Sequence, residues 1–264
     1  MDFQNLRYEK EGHVVTLTLD RPERLHALNQ DLIHREIPGA IRDAGEDPEV
    51  RAVIVTATGD RAFCAGADMK DTAETGTIGG STVGSDYVGS PTSCLHEGFD
   101  KPVIVAVNGM CLGAGLHFLA DGDLILAADH ATFFDTHVRI GQVFALETIG
   151  LIRKIPFGEV MRMMLLSGTE RMSAQRALEL GLVSEVVPGP DLASRARTVA
   201  ETIAAFSPAT IAASKRAMWS SLEHGLSDAL ARGWKEIYEH WSHPDSKEGP
   251  RAYAAGRKPR WSVD

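Results

Sequence analysis

The sequence predicts an α/β fold, with a mixed strand-and-helix part over residues 1–190 and an all-helical part over residues 191–264. Three observations lead there. Short apolar runs rich in β-branched residues alternate with helical patterns as far as Pro188-Gly189-Pro190. From Asp191 onward the apolar residues keep helical spacing over 192–206, 208–224 and 226–241. Between them, residues 102–121 run from a buried-strand pattern through Gly113-Ala114-Gly115 into a helix start at Leu116. Backbone N–H groups at such a helix start lack intrahelical acceptors, so this stretch can hold negative charge.

Residues 5–10 and 13–20 read as two strands around the turn Glu11-Gly12, because Val15, Leu17 and Leu19 alternate with Thr16 and Thr18. Arg21-Pro22-Glu23-Arg24 is a loop. Asn29 is the expected N-cap of a helix towards Asp43, which Pro38 should kink or break. Residues 50–56 form a strand, Thr58-Gly59-Asp60 a turn, and 62–67 a short small-residue segment. Residues 71–93 carry Gly76, Gly79, Gly80, Gly84 and Gly89, with few apolar anchors. They read as a loop of poor helix content, either a surface insertion or a lid over a pocket. The strand 102–107 ends at Asn108-Gly109, a pair suited to the positive φ of a tight turn. Residues 124–127 and 132–134 are strands, and 149–155 and 157–166 are helical on either side of Pro156. Ser173 caps a helix 174–180 stopped by Gly181, and 182–187 is a strand.

The 264 residues are 44% hydrophobic and 24% charged, as expected of a chain with a sizeable core. A formal net charge of −9 disfavours nucleic acid or an anionic membrane as the main partner. Cys64, Cys94 and Cys111 have neither metal-site nor CxxC spacing, so no disulfide framework is implied and a cytoplasmic setting is expected. No basic-then-apolar leader opens the sequence, and no apolar run approaches the ~20 residues of a membrane span. A dinucleotide fingerprint at Gly113 fails because Phe118 stands where glycine is needed, and no G-x-S-x-G, P-loop or H-E-x-x-H occurs.

Two segments then carry a resemblance. Ala62-Phe63-Cys64-Ala65-Gly66-Ala67-Asp68-Met69-Lys70, and Lys101 to Gly109 followed by Gly113-Ala114-Gly115, resemble the two motifs of the crotonase (enoyl-CoA hydratase/isomerase) superfamily. Asp20-Arg21-Pro22, Ala27-Leu28-Asn29, Gly181-Leu182-Val183 and Val186-Val187-Pro188 match its flanks, as do Glu248-Gly249 and Arg257-Lys258. The resemblance implies a crotonase-type spiral of ββα units, with a helical C-terminal region that assembles trimers or hexamers. It implies an acyl-CoA thioester as substrate, no cofactor beyond the CoA that substrate carries, and no metal. It also implies an oxyanion hole made by the backbone N–H groups of Ala67 and Ala114. For the CoA arm it points to Arg24 and Lys70, to Leu25, Ala27 and Ala65, to Asp68, and to Tyr253 in the C-terminal region.

The chain departs from the hydratase pattern at both acid–base positions. The resemblance expects two glutamates, and His117 and His137 stand in their places. A histidine titrates near neutrality and can serve acid–base chemistry, so either the pair is catalytic or it fills an inert pocket. Glu147 is a third candidate, set against a solvated loop carboxylate. Asp135, beside Phe134, either orients His137 or caps a turn, while His96 and Glu97 read as surface. Three function classes follow: a hydratase or dehydratase; another enolate reaction such as isomerisation, decarboxylation or thioester hydrolysis; or a non-catalytic acyl-CoA binder.

Overall fold

The computed structural model describes residues 3–75 and 99–262. Strands β1 (Leu6–Glu11) and β2 (Val14–Leu19) form the expected antiparallel hairpin, with Glu11 opposite Val14. Helix α1 (Ile37–Glu46) follows. Three units of two strands and a helical segment then repeat. They are β3 (Ala52–Ala57), β4 (Ala62–Cys64) and α2 (Met69–Thr75); β5 (Val103–Val107), β6 (Met110–Leu112) and α3 (Leu116–Asp121); and β7 (Leu124–Ala128) and β8 (Thr132–Phe134) with α4 (Leu146–Leu151) and α5 (Phe157–Leu166). Strand β9 (Met172–Ser173), helix α6 (Ala174–Glu179) and strand β10 (Glu185–Val187) close the mixed part.

The first strand of each unit joins one sheet, of order β1-β2-β3-β5-β7-β10; the second joins another, of order β4-β6-β8-β9. β3, β5 and β7 pair in parallel, as do β4, β6 and β8. All five residues of β5 are buried, as the unbroken apolar run of a central parallel strand requires. Helix α7 (Leu192–Ala204) covers this sheet, burying Leu192, Ala196, Ala200 and Ala204 at four-residue spacing against it. Helices α8 (Pro208–Ser221) and α9 (Leu226–His240) pack on each other, and α10 (Asp245–Ala254) follows. Among the described residues, no helix is long and apolar enough to cross a membrane.

Several local expectations change. Pro38 does not break its helix. Asn29 Oδ1 accepts the N–H of Leu32 at 2.9 Å, residues 32–36 widen into a π turn, and Pro38 falls in the first turn of α1, where a missing N–H costs nothing. Residues 71–75, expected as loop, complete α2, because Asp68 Oδ1 accepts the N–H of Lys70 at 3.1 Å and caps its start. The loop-or-lid reading of residues 76–93, Cys94, His96 and Glu97 lie outside the described residues. The strand expected over 182–187 shortens to its last three residues, and α10 adds a helix to the helical part 191–264 beyond the three runs read there.

Asn108-Gly109 makes no positive-φ turn either, since neither residue is among those with φ above zero. Glycine is needed at 109 for proximity instead. A Cβ there would lie 2.6 Å from Arg61 C and 2.7 Å from Ala62 N, both backbone atoms that no rotamer change can move. Gly109→Ala is therefore expected to lower unfolding free energy by about 3 kcal/mol, the upper range for overpacking, in a urea titration. An unchanged midpoint would show that the backbones are not locked together here.

Candidate active site

Strands β4 and β6 run parallel with Cys64 paired to Cys111. Two residues beyond each cysteine stands a glycine in the left-handed region, Gly66 at φ +80° and Gly113 at φ +53°. One residue further lie Ala67 and Ala114. The two turns touch: a Cβ on Gly66 would sit 3.2 Å from Leu112 O and 3.3 Å from Ala114 N. Both the φ and the approach demand glycine.

The chain fixes where these alanines face. Leu28 bridges in parallel to Ala67, its N–H donating to Gly66 O at 2.8 Å and its C=O accepting from Asp68 N–H at 2.9 Å. That bridge uses the groups on either side of Ala67. The N–H of Ala67 itself therefore points away from Leu28. Ala114 lies in the first turn of the 3₁₀ segment Gly113–Gly115 that leads into α3, where N–H groups have no intrahelical acceptor. Gly66, Gly113 and Gly115 are buried, whereas Ala67 and Ala114 are half-buried. Two backbone donors thus stand on touching turns at an accessible spot.

Beside them lies a cluster of ionisable side chains. His117, the second residue of α3, and Glu147, in the first turn of α4, are both buried. His117 Nε2 is 3.1 Å from Glu147 Oε1, and His137 Nε2 is 3.7 Å from that same oxygen. Asp135, completely buried, holds His137 twice: Oδ1 lies 2.6 Å from the ring Nδ1, and Oδ2 accepts the His137 backbone N–H at 2.9 Å. The Phe144 ring stacks on the imidazole at 5.2 Å between centroids. A Cβ on Gly113 would be 3.7 Å from His137 Cε1, so this imidazole stands against the turn that carries Ala114. All three acid–base candidates of the sequence come together. The expectation that Glu147 could be a solvated loop carboxylate fails, because α4 turns it inward onto two imidazoles.

The charges answer one another. Burial works against an ionised Glu147, but the His117 hydrogen bond and the two histidine charges outweigh it and hold the carboxyl below its ordinary value. Burial likewise works against a charged His137, and the Asp135 hydrogen bond with the Glu147 and Asp135 charges prevails, raising its pKa. Among the described residues, no group of three or more His, Cys, Asp or Glu could hold a metal ion.

Of the residues expected at the CoA arm, Leu25, Ala27, Ala65 and Asp68 are tied through one loop beside Ala67. Ala65 N–H donates to Leu25 O at 3.0 Å, and Arg21 Nη1 donates to Ala27 O. Asp68 is buried, with Oδ2 3.0 Å from Arg21 Nη2 and Oδ1 on the Lys70 N–H, so both its oxygens serve the fold. Arg24 and Lys70 are exposed. Tyr253, on α10, is 90% exposed, and no bond among the described residues ties it to this group. Sequence reasoning missed His26, which is buried at φ +57° with Nε2 2.9 Å from Thr58 O and Nδ1 accepting the Arg21 N–H. Burial lowers its pKa, so a neutral ring pins the 21–26 loop. The cavity of about 570 Å³ lined by Lys154, Met218 and Trp219 holds none of these residues.

The shifts fix how the site responds to pH. The depressed Glu147 contributes stability above its unfolded value near pH 4.5, lost as pH falls through its folded pKa. The raised His137 contributes stability below its unfolded value near pH 6.5, lost as pH rises through its folded pKa. Urea unfolding across pH is expected to show both losses, with Glu147→Gln removing the acid-side one. A Glu147→Gln curve parallel to the parent would contradict this coupling.

The enoyl-CoA hydratase/isomerase family model matches residues 9–263. The chain is 33% identical over 259 residues to the short-chain-enoyl-CoA hydratase of Clostridium acetobutylicum, covering 98% of this chain and 97% of that one. It is 35% identical over 264 residues to the (E)-benzylidenesuccinyl-CoA hydratase of Thauera aromatica, covering 95% and 96%. The crystal structure of an enoyl-CoA hydratase/isomerase from Mycobacterium paratuberculosis superposes with a TM-score of 0.90 at 36% identity over 99% of both chains. The repeated ββα units, the two touching turns and these end-to-end matches lead to one assignment: the chain belongs to the enoyl-CoA hydratase/isomerase, or crotonase, family of enzymes.

Proposed function

We propose that this enzyme hydrates a 2-enoyl-CoA thioester, or runs the reverse dehydration, with histidines in place of the usual glutamates. The thioester oxygen accepts from the N–H groups of Ala67 and Ala114, which stabilise the enolate. Such preorganised donors are worth about 3–4 kcal/mol each. The observation that carries the acid–base part is Glu147 Oε1, within reach of both imidazole Nε2 atoms beside the Ala114 turn.

In the hydration direction, His137 Nε2 takes a proton from water as the water oxygen bonds to C3. The C2–C3 π electrons move into the thioester as an enolate. The His117 side delivers a proton to C2, and Glu147, between the two rings, passes the proton from His137 back to His117. Water is consumed, one C–O and one C–H bond form, and the cluster returns to its starting state.

Arg24 and Lys70 meet the CoA phosphates, with Leu25, Ala27 and Ala65 at the adenine, Asp68 tying that loop and Tyr253 reaching a pocket from the C-terminal region. The helical region 191–264 assembles the chain as a homotrimer or hexamer. Support comes from Leu226, Leu230, Trp234 and Tyr238 of α9, all more than half exposed. Free, buried Cys64 and Cys111 suit work in the cytoplasm.

On crotonyl-CoA and a panel of acyl-CoAs, His117→Ala, His137→Ala and Glu147→Ala are each expected to lower kcat by about 10²–10⁴-fold while CoA binding persists. The kcat/KM of the parent enzyme is expected to fall on the acid side through a pKa above the ordinary histidine value, since His137 must be neutral to take a proton. Turnover surviving both histidine changes would shift the acid–base role to Glu147. Binding without turnover of any thioester would leave a non-catalytic binder. Light scattering after gel filtration is expected to give three or six times the chain mass; a monomer would overturn the assembly proposal.

A further inference from the structure

We infer that Asp135 is a positioning residue: it holds the His137 imidazole as the Nδ1–H tautomer, with Nε2 turned towards Glu147. This rests on the acid–base reading of His137 given above and says how that residue is prepared for its step.

The geometry distinguishes this role from simple turn-capping. A side chain two residues upstream commonly caps a turn by accepting one backbone N–H, and Asp135 Oδ2 does so from His137 N at 2.9 Å. One oxygen is enough for that. The second, Oδ1, is spent on the ring Nδ1 of the same residue at 2.6 Å. Backbone and ring of His137 are thereby tied to one carboxylate, leaving the ring little freedom to rotate about its side-chain bonds. Phe144 closes one face of the ring by stacking.

The tautomer follows from the acceptor. An ionised carboxylate can only accept, so Nδ1 must carry a proton to make the bond. In the neutral ring, Nε2 then holds the lone pair. That atom is the one 3.7 Å from Glu147 Oε1. The opposite tautomer would leave a lone pair facing the carboxylate and a proton where a base is needed.

Complete burial supports the assignment. A carboxylate with no exposure loses its hydration and needs a charged or strongly donating partner. Among the described residues, Asp135 bonds the ring and the backbone N–H of His137. The ionisable groups facing His137 are Asp135 from its own turn and Glu147 from α4, with His117 of α3 reached through Glu147.

Asp135→Asn separates the two jobs. One amide oxygen remains to accept the His137 N–H, so the turn keeps its cap. The other position becomes an NH₂ that can only donate to Nδ1, which drives the proton to Nε2. Nitrogen-15 NMR of the histidine rings reads this without any turnover. The parent protein is expected to show the Nδ1–H form of neutral His137, and the variant the Nε2–H form. In kinetics on crotonyl-CoA, the variant is expected to lose about 10²–10⁴-fold in kcat with KM within about threefold, the pattern of an Asp–His pair whose tautomer is reversed. The acid limb of its pH–rate profile should move to lower pH, because a hydrogen bond and a charge that favour the imidazolium are gone. The double variant with His137→Ala should be no slower than His137→Ala alone.

An Nε2–H tautomer in the parent protein would overturn the inference even if Asp135→Asn failed to fold. So would a folded Asp135→Asn with unchanged kcat and tautomer beside an inactive His137→Ala. Full activity in His137→Ala would instead sink the acid–base reading, while the NMR result would still decide the tautomer.

Discussion

The parallel pairing of β4 with β6, which shifts register between Ala62 and Cys64 and closes with Cys64 opposite Cys111, is the constraint on which the rest of this molecule depends. Cys64 faces Cys111, so the residues that follow each strand leave the sheet side by side. Each strand reaches a left-handed glycine after the same interval, and each then presents one alanine N–H. A slip of one residue would part Gly66 from the Ala114 backbone, and the paired donors would vanish. Large residues pack beside the pairing: Phe63 and Phe133 are fully buried, and the Phe63 ring meets Phe118 edge-on at 5.5 Å. Packing in the core thereby sets the geometry of two backbone N–H groups at the surface.

The second level is electrostatic. Asp135, His137, Glu147 and His117 stand in one row: Asp135 bonds the His137 ring, His117 Nε2 lies 3.1 Å from Glu147 Oε1, and His137 Nε2 is 3.7 Å from that same oxygen. Buried ion pairs of this kind add little net stability, since desolvation offsets attraction. Their value lies in fixed orientation and in keeping a carboxylate ionised between two imidazoles. Glu147, arriving from α4, sets one carboxylate oxygen near both imidazoles.

Local features were legible in the sequence because their causes are local. The β1–β2 hairpin, the Asn29 cap and the Ser173 cap each rest on residues within a few positions, and each formed as read. Gly109 was misread because its reason lies about fifty positions away, in the backbone of Arg61 and Ala62. Within the part expected as helical, α10 gave no separate run because Gly249 and Pro250 lie inside it. It is held by distant partners, with Ser207 Oγ donating to buried Asp245 at 2.5 Å. The histidines could be picked out by position, but not the single oxygen they share. That contact requires α3, α4 and the turn after β8 to converge, which no spacing in the chain reveals. His26 was hidden for the same reason, since its partner Thr58 belongs to another unit.

In the proposed reaction, two backbone donors and a histidine–glutamate cluster face one thioester. A crystal structure with a bound, non-reacting acyl-CoA analogue tests it most directly. The thioester oxygen is expected within hydrogen-bond distance of both Ala67 N and Ala114 N, about 2.7–3.2 Å. C2 and C3 are expected to face His117, Glu147 and His137. A thioester oxygen bound away from these two N–H groups, or an acyl chain turned away from the histidines, would contradict the proposed reaction.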